Sequence, residues 1–372
     1  MSVGHPFFSC KVKGSNGMKV AFSLMIHNSD DDRVAYQEAA ALQRAGDEVS
    51  VFSAYEQKEK SREEKSECLL QQLLDYQPEV IVCDTPIAVK IAYKVKKKID
   101  PHVRVLYDIT EWYPSKKNLR NVSGIKKILR AFLLSFASVM AGLLADAFIF
   151  GEYYKSLPFK ILFFWKPSAL VSYYASKEAV KQIEPKDTLQ TECVLYYSGN
   201  LTKEKGYERV VSVAQKVAAL RQDVSFKLRI VSASKPETIA LPDNLKIDSS
   251  GWMSFPQFCE TVGEGDIYMD LRDNDMENSH CLPIKLFYYM MAGRPMIYSN
   301  LKAIQKGVPE FDEIGCMSEP DDEEKITAFI LKCVDNPNFY RQLCQNSLNL
   351  SSQRYNWENI ENQFVKFIHN GI

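Results

Sequence analysis

The stretch CVLYYSGNLTKEKGYERVV, residues 193–211, decides the fold of this chain. Its apolar and aromatic first half, ending at Ser198, is typical of a buried β-strand. A polar turn begins at Gly199, and Gly206 stands where an amphipathic helix starts. A strand, a glycine-bounded loop and a helix start, in this order, present free backbone N–H groups to an anion. The segment therefore predicts an α/β unit with an anion site at the end of a strand.

Two lysines, Lys203 and Lys205, lie between the two glycines of this loop. They fit an anion site, and they fit a solvated surface loop equally well. The loop is not a Walker loop, because GxxxxGK[ST] is absent, and it is not GxGxxG. The motif thus indicates a phosphate-binding turn of another type, or no site at all.

A second stretch, HCLPIKLFYYMMAGRPMIYSN at residues 280–300, predicts a short helix that ends abruptly before a strand. Pro283 suits the first helical position, and Gly293 suits the left-handed residue after the last turn. Pro295 prevents the helix from continuing. Lys285 in the first turn opposes the helix dipole, a conflict worth about a few tenths of a kcal/mol. Either this lysine is solvated, or it holds a bound anion together with the helix start.

Outward from these stretches, strands and helices alternate from residue 18, and the pattern restarts after the polar bridge at 176–190. The strands are near-continuous apolar runs, which are typical of parallel sheets covered on both faces. We predict an α/β protein with two Rossmann-like, doubly wound parallel-sheet domains facing across a cleft at the carboxyl ends of the strands. A strand is also predicted at KILFFW, residues 160–165, and three helices close the chain.

The predicted domain boundaries follow this pattern. They are a disordered leader at 1–17, an acceptor-side domain at 18–170, a linker at 171–190, a nucleotide-sugar-binding domain at 191–352, and a helix crossing back at 353–372.

Composition excludes several classes of protein. The 372 residues carry a net charge of −1, so the protein as a whole has no positive electrostatic potential that would attract nucleic acid. The nine cysteines are never spaced as C-x-x-C, which argues for reduced thiols in the cytoplasm and against a structural zinc site. No apolar core of a signal peptide occurs in the first 17 residues. The acidic DLRDND near Asp270 fits a manganese site, but a polar loop after a strand explains it more simply.

Five stretches carry a resemblance to a known family. GNLTKEKGYERVV followed by LPIKLFYYMMAGRPMIYS resembles the sugar-nucleotide domain of GT-B glycosyltransferases, specifically the large retaining class called group 1. IHNSDDDRVAYQEAAALQRAGDEVSVFSA and VLYDITEWYP resemble the first domain of bacterial members that build surface polysaccharides. YNWENIENQFVKFI resembles the last helix of the family, which crosses back to the first domain.

The resemblance runs from residue 18 to the C-terminus, and it implies an activity. The chain would transfer one sugar, with retention, from a UDP- or GDP-linked donor to a saccharide acceptor, expected to be lipid-linked. It implies no metal and no cofactor besides the donor. The net charge of −1 separately predicts no nucleic-acid partner. Front-face displacement assisted by the departing phosphate is the mechanism that it implies.

The family's motifs transfer only in part. The lysine of its EKG motif corresponds to Lys205, expected on the donor diphosphate. Gly199 matches the glycine of its GR pair, but Asn200 replaces the arginine, so one diphosphate cation is missing. The family's two glutamates, which contact the donor sugar and the ribose, fall on His280 and Tyr288. His280 can hydrogen-bond a hydroxyl, whereas Tyr288 can offer its phenol, stack, or pack in the core.

The predicted site residues fall into three groups. The catalytic candidates are Lys205, Glu111 and His280. The donor-binding candidates are Gly199, Asn200, Lys203, Gly206, Trp252, Pro283, Lys285, Leu286 and Tyr288, with Lys203 or Lys285 replacing the missing arginine. The acceptor-side candidates are His27, Asp31, Asp32 and Arg33, although this acidic turn also fits a helix cap at Asp31 or Asp32. Glu111 fits a solvated loop residue equally well.

A basic and apolar segment suggests a membrane partner. No acidic residue occurs between Glu111 and Asp146, and six basic residues open that window: Lys116, Lys117, Arg120, Lys126, Lys127 and Arg130. The uncharged run 131–145 that follows is too short to span a bilayer, which needs about 20 residues. It fits either a core helix or an interfacial helix. We predict peripheral attachment to the inner face of the plasma membrane through 116–130.

Two other functions fit the sequence. The loss of both glutamates fits a catalytically weak sugar-nucleotide-binding subunit of a polysaccharide-assembly complex. A sugar-nucleotide epimerase would need further catalytic carboxylates and histidines, and the chain has five histidines.

Overall fold

A computed structural model describes residues 17–370 of the chain. Residues 1–16 of the predicted leader lie outside the described residues. Within 17–370, two six-stranded sheets contain the strands β1 (Lys19–Leu24), β2 (Glu48–Ser53), β3 (Val80–Cys83), β4 (Arg104–Ile109), β5 (Ala147–Phe150), β6 (Ser168–Leu170), β7 (Glu192–Ser198), β8 (Ser225–Val231), β9 (Leu245–Ser250), β10 (Ile267–Asp270), β11 (Met296–Ser299) and β12 (Gly315–Ser318).

Helices connect almost every pair of consecutive strands. They are α1 (Ala40–Arg44), α2 (Arg62–Tyr76), α3 (Pro86–Lys98), α4 (Lys116–Leu119), α5 (Gly124–Leu144), α6 (Tyr153–Leu162), α7 (Tyr207–Leu220), α8 (Phe255–Thr261), α9 (Met276–Ser279), α10 (Lys285–Met291), α11 (Lys302–Gly307), α12 (Glu323–Asp335), α13 (Pro337–Gln353) and α14 (Glu358–Asn370). A π-helix, Val34–Ala39, leads into α1.

The first sheet has the order β2-β1-β3-β4-β5-β6. Its registers are parallel, for example Val20 opposite Val49 and Val20 opposite Val80. The strand order reverses between β1 and β3. In doubly wound sheets, ligands bind beyond the carboxyl ends of the strands at such a switch point.

The second sheet has the order β12-β11-β10-β7-β8-β9, so its switch point lies between β7 and β10. Alternate strand residues feed two buried clusters, because successive side chains of a strand point to opposite faces. Leu195 packs in the cluster that includes residues of α7 and α12, and Tyr196 packs in the one that includes α10 and α11. Helices thus cover both faces, and the predicted α/β class with two doubly wound sheets is confirmed.

The chain forms two compact units. One comprises the residues up to Asp108, together with 137–148 and the chain from Gln363 onward. The other comprises Ile109–Phe136 and Ile149–Asn362. Because this division runs through the first sheet, it does not decide the predicted boundaries at 170 and 191.

Two details of the predicted elements are wrong. Residues 160–165 are not a strand: α6 continues to Leu162, and the strand that follows is β6 at Ser168–Leu170. The apolar run belongs to the crossover between neighbouring strands β5 and β6, and periodicity does not separate a short apolar strand from a helix end. Helix α10 begins at Lys285 rather than at Pro283.

Helix α5 does not have the burial expected of a core helix. Ile125 is 83% exposed and Phe132 is 66% exposed. By length and composition alone, this 21-residue helix is sufficient to cross a membrane.

Candidate functional site

The two stretches singled out in the second half of the sequence meet at the end of β7. The ammonium group of Lys285 donates a hydrogen bond to the carbonyl oxygen of Ser198, at 2.7 Å. It also lies 3.7 Å from the position that a Cβ atom on Gly199 would occupy. Gly199 has φ of +154°, a conformation that L side chains rarely adopt. The turn and the lysine therefore form one cationic site.

The loop returns against the end of β10, on the other side of the switch point. Gly206 has φ of +76°, and a Cβ atom there would lie 2.0 Å from the carbonyl oxygen of Leu271. Only glycine permits this approach of two backbones. The loop 199–206 is therefore fixed between the carboxyl ends of β7 and β10, where doubly wound sheets bind ligands.

A second ammonium group, that of Lys205, belongs to the same loop. Its Nζ atom donates to Oδ1 of Asn278 at 3.2 Å and lies 3.3 Å from the carboxylate of Glu204. Asn278 is buried, and its Nδ2 atom donates to Asp275 at 2.9 Å. Sequence reasoning missed Asn278, which orients Lys205, because an asparagine in a polar run carries no motif.

His280 lies just after α9, with its ring ordered by two contacts. Its Nδ1 atom lies 2.7 Å from the carbonyl oxygen of Met276, so Nδ1 carries the hydrogen. The ring of Tyr154 meets the imidazole edge to face, with centroids 4.6 Å apart. In the neutral ring, Nε2 is then the acceptor, so His280 is suited to accept a hydrogen bond from a hydroxyl.

Three of the predicted donor-binding residues lie in the core. Pro283 and Leu286 are buried, and Tyr288 is 1% exposed. The ring of Tyr288 packs edge to face against Phe255 and Phe258, with centroids 5.5 and 5.7 Å away. Of the roles considered for Tyr288, packing in the core agrees with this position. A contact between Tyr288 and the ribose stays a prediction.

Other predicted residues are exposed around the loop. Asn200 and Lys203 are exposed in the turn itself. Trp252 is 69% exposed in the segment between β9 and α8. A contact of these three residues with the donor stays a prediction.

Asp270, the residue that suggested a manganese site, has its carboxylate occupied. Arg272 donates to it with two guanidinium nitrogens, and the Nε–Oδ1 distance is 2.7 Å. No group of three or more His, Cys, Asp or Glu residues in the described part of the chain is arranged to hold a metal ion. Residues 271–274 form an irregular segment after β10, and the absence of a metal ion there stays a prediction.

Ion pairs and a hydrogen bond connect helix α4 to the residues around Lys205. Lys116 Nζ lies 2.7 Å from Oδ2 of Asp275, and its backbone N–H donates to Glu277 at 2.7 Å. Arg120 lies 3.7 Å from Glu204, the neighbour of Lys205. Burial opposes the ionisation of Asp275, but hydrogen bonds from Lys116 and Asn278 lower its pKa overall. Two of the six basic residues predicted to meet a membrane are therefore paired with acidic residues.

Glu111 follows β4 in a half-buried loop, and the chain just before it is anchored. Lys155 Nζ donates to the carbonyl of Thr110 at 2.5 Å and pairs with Glu152 at 2.5 Å. The other oxygen of Glu152 accepts from the backbone N–H of Leu282 at 2.6 Å. This buried pair connects the Glu111 loop with the start of the 282–300 segment. Within 17–370, no hydrogen bond or ion pair joins Glu111 to His280.

The acceptor-side candidates lie in the other unit, at the switch point between β1 and β3. His27 Nδ1 is 3.1 Å from Oδ2 of Asp84, whose carboxylate also accepts from the backbone N–H groups of Met25 and Ile26. Burial works to lower the pKa of His27, but the bond to Asp84 and the charge of Asp31 outweigh it and raise the pKa. Asp84, at the end of β3, was missed by sequence reasoning.

Arg33 is only 5% exposed, which corrects its predicted role as a direct contact for acceptor hydroxyls. Its guanidinium lies 2.5 Å from Glu38 and 2.5 Å from Asp108. Burial raises the pKa of Glu38 to about 8, although Arg33 opposes the shift. Two buried carboxyls share a single arginine. Burial and the repulsion between the carboxyls therefore favour a proton on the pair near neutral pH. Arg33 holds this network together rather than meeting solvent.

The acidic turn before Arg33 behaves partly as the helix cap that the sequence allowed. The carboxylate of Asp31 accepts from the backbone N–H of Val34 at 3.2 Å. Asp32 is half-buried beside it. Contact of either carboxylate with an acceptor stays a prediction.

Comparison with known proteins identifies the fold. No family model matches the chain, and no curated protein matches it. Among solved structures, a sucrose-phosphate synthase from Thermosynechococcus elongatus aligns with a TM-score of 0.67 at 15% identity, over 95% of this chain and 98% of that one. HepE from Anabaena, in complex with UDP-glucose, aligns with a TM-score of 0.63 at 14% identity, over 95% and 99%. A glycosyltransferase from Rickettsia africae aligns with a TM-score of 0.63 at 10% identity, over 96% and 100%.

These neighbours share one architecture, and at such low identities the likeness establishes architecture alone. The chain has the GT-B fold, as the sequence resemblance implied.

Proposed function

We propose that this protein is a glycosyltransferase that takes a sugar from a nucleotide-diphosphate-sugar donor. The observation that carries the proposal is the meeting of Lys285 with the Gly199 turn at the switch point of the second sheet. Lys205 adds a second ammonium group from the same loop. HepE was solved with UDP-glucose and with UDP, and an α-glucosyltransferase of the same fold was solved with UDP and a 13-mer DNA. These ligands support a UDP-linked donor, and a GDP-linked donor is the alternative.

The chemistry follows from the charges. When the bond between sugar and diphosphate breaks, negative charge grows on the leaving phosphate oxygens. Ammonium groups already in position stabilise that charge in the transition state more than in the ground state. Lys205 and Lys285 would do this without a metal ion or a further cofactor. Nε2 of His280 would accept a hydrogen bond from a donor-sugar hydroxyl.

Transfer would proceed with retention. We assign no covalent nucleophile to this reaction. We infer front-face displacement, in which the departing phosphate accepts the proton of the acceptor hydroxyl. Glu111 would bind the acceptor or stabilise developing positive charge on the sugar.

The acceptor is proposed to be a lipid-linked saccharide of bacterial surface-polysaccharide synthesis. His27, Asp31 and Asp32 would contact its hydroxyls, with Asp84 orienting His27. The protein would work in the cytoplasm, at the inner face of the plasma membrane. Three basic residues on α5, Lys126, Lys127 and Arg130, support attraction to anionic lipid.

A second candidate has one specific observation in its favour. Tyr288 takes the place of a family glutamate and packs among aromatic rings, which fits a subunit that binds a sugar nucleotide without transferring the sugar. The two functions differ in product formation and not in donor binding.

A screen of UDP- and GDP-sugars by thermal shift tests the proposal first. A ligand at 100 times its Kd stabilises the folded state by about 2.7 kcal/mol. A stabilising donor is then incubated with membrane lipid extract, and transferred sugar is measured by mass spectrometry. Transfer supports the enzyme, binding without transfer or donor hydrolysis supports the binding subunit, and the absence of binding to every donor contradicts both.

A further inference from the structure

Large apolar side chains lie along one side of α5 and face outward. At 3.6 residues per turn they occupy an arc of about 140°. Each is between 37% and 83% exposed: Ile125, Ile128, Leu129, Phe132, Leu133, Phe136, Val139, Met140 and Leu143. We call this set the α5 arc.

The positions at which α5 is buried carry small residues and lie opposite the arc. These residues are Ser138, Ala141 and Gly142. A surface helix of a soluble domain normally turns its large apolar side chains inward. Helix α5 has the reverse arrangement, which leaves a continuous apolar surface in contact with water.

A second exposed apolar cluster follows α6, in the same unit as residues 109–136. Ile161 is 73%, Leu162 51%, Phe164 80% and Trp165 58% exposed. We call these four residues the 161–165 cluster. It was not anticipated, because the run was interpreted as a buried strand.

The topology excludes a membrane crossing by α5. The helix connects β4 to β5, and these strands are neighbours in one sheet. A single crossing between them would place the two strands on opposite sides of a bilayer. A partner that covers the apolar surface must therefore do so with α5 lying parallel to the surface of that partner.

We infer that the α5 arc, assisted by the 161–165 cluster, inserts into the interfacial layer of an anionic lipid bilayer. Charge supports this partner: Lys126 and Arg130 flank one edge of the arc, and no acidic residue occurs between Glu111 and Asp146. A helix with Phe and Leu on one side and Lys and Arg beside them is typical of interfacial helices. Aromatic side chains such as Trp165 favour the headgroup level.

This inference deepens the proposed membrane location, but it does not rest on the donor site. If the arc inserts, burial of apolar side chains contributes more to membrane attachment than attraction between basic residues and lipid. Attraction between basic residues and lipid is screened by salt, whereas burial of apolar side chains is not. Attachment should therefore weaken only in part as salt rises.

Sedimentation of the full chain with vesicles tests the inference. Vesicles of phosphatidylcholine with phosphatidylglycerol are compared at low and high salt. The double variant Phe132→Ser, Phe136→Ser should lose about tenfold or more of the binding at both salt concentrations. The control variant Lys126→Gln, Lys127→Gln should lose binding mainly at low salt.

Melting temperature and UDP-sugar binding are measured on the same preparations, so that misfolding and a failed donor site are recognised separately. Equal sedimentation of the wild type and the phenylalanine variant would overturn the inference. So would failure of the wild type to sediment, or a wild-type dimer in solution that the phenylalanine variant dissociates, because a second copy would then be the partner.

Fluorescence tests the insertion itself. Vesicles with brominated acyl chains should quench Trp165, and Trp165→Phe should remove most of that quenching while leaving binding largely unchanged. A chain that sediments with vesicles while Trp165→Phe leaves the quenching unaltered would overturn the role of the 161–165 cluster.

Discussion

The ammonium nitrogen of Lys285 lies 2.7 Å from the carbonyl oxygen of Ser198, the last residue of β7. This contact joins two stretches that are far apart in the sequence. It explains how a lysine is tolerated at the first position of α10, since its charge is directed to the Gly199 turn. Under the proposed function, we infer that Lys285, rather than the exposed Lys203, supplies the cation that Asn200 does not.

Gly206 should be sensitive to the smallest substitution. In Gly206→Ala, the new methyl group would meet the carbonyl oxygen of Leu271, and the residue would keep a left-handed conformation. We expect a loss of about 1–3 kcal/mol of unfolding free energy, measured by chemical denaturation. Gly251→Ala is the matched control, because nothing lies within 4 Å of its Cβ position. Equal stability of the two variants would show that the backbones do not approach as described.

Tyr288 should behave as a core residue. Tyr288→Ala removes a buried ring that packs on Phe255 and Phe258, and it should cost about 3–5 kcal/mol. Tyr288→Phe keeps the ring and should leave the melting temperature within a few degrees of the wild type. If Tyr288→Phe instead weakens donor binding at unchanged stability, the phenol is a ligand contact.

The buried network around Arg33 predicts a pH dependence of stability. The pKa of Glu38 is about 8 in the folded chain and 4.5 in the reference state. Between these values the unfolded chain has lost this proton and the folded chain retains it, so this group makes stability fall as pH rises from about 5 to 8.

Glu38→Gln should flatten that fall, measured as melting temperature against pH. Glu63→Gln, an exposed change on α2, should not. Parallel profiles for wild type and Glu38→Gln would mean that Glu38 is ionised throughout the range.

The basic residues should separate into two groups. Lys126→Glu, Lys127→Glu and Arg130→Glu together should reduce low-salt binding to anionic vesicles, since each contributes on the order of 1 kcal/mol near such a surface. Lys116→Glu should instead weaken donor binding, because it places a carboxylate beside Asp275 and Glu277 near Lys205. Vesicle binding is measured by sedimentation, and donor binding is measured by titration. The ion pairs of α4 would be contradicted if Lys116→Glu reduced vesicle binding and left donor binding unchanged.

Much of the fold could be predicted from the sequence, because buried parallel strands and amphipathic helices have distinct periods. The failure at 160–165 has a physical cause, since a short apolar run fits a strand or an exposed helix end equally well. The outward direction of the α5 arc could not be read from composition either. Apolar content is the same whether a helix faces a core or a membrane.

The site was predictable only where glycines and lysines form a motif. Gly199, Gly206, Lys205 and Lys285 were singled out in this way, and the structure places them around one loop. Asn278 and Asp84 act through contacts made in the folded chain, so no local pattern revealed them. Arg33 was proposed as an acceptor contact because it belongs to the polar turn after the first strand. Its burial depends on two carboxylate partners from separate elements, which no local pattern shows.

The most direct test of the central claim is calorimetric titration of UDP and GDP into the wild type, Lys205→Ala, Lys285→Ala and the exposed control Lys246→Ala. The account predicts that one nucleotide binds the wild type and the control alike, and that it binds each site variant about tenfold or more weakly. With a confirmed donor, Lys205→Ala should lower turnover by roughly a hundredfold. Unchanged affinity in both site variants, or no binding of either nucleotide to the wild type, would contradict the assignment of the Gly199 loop as a diphosphate site.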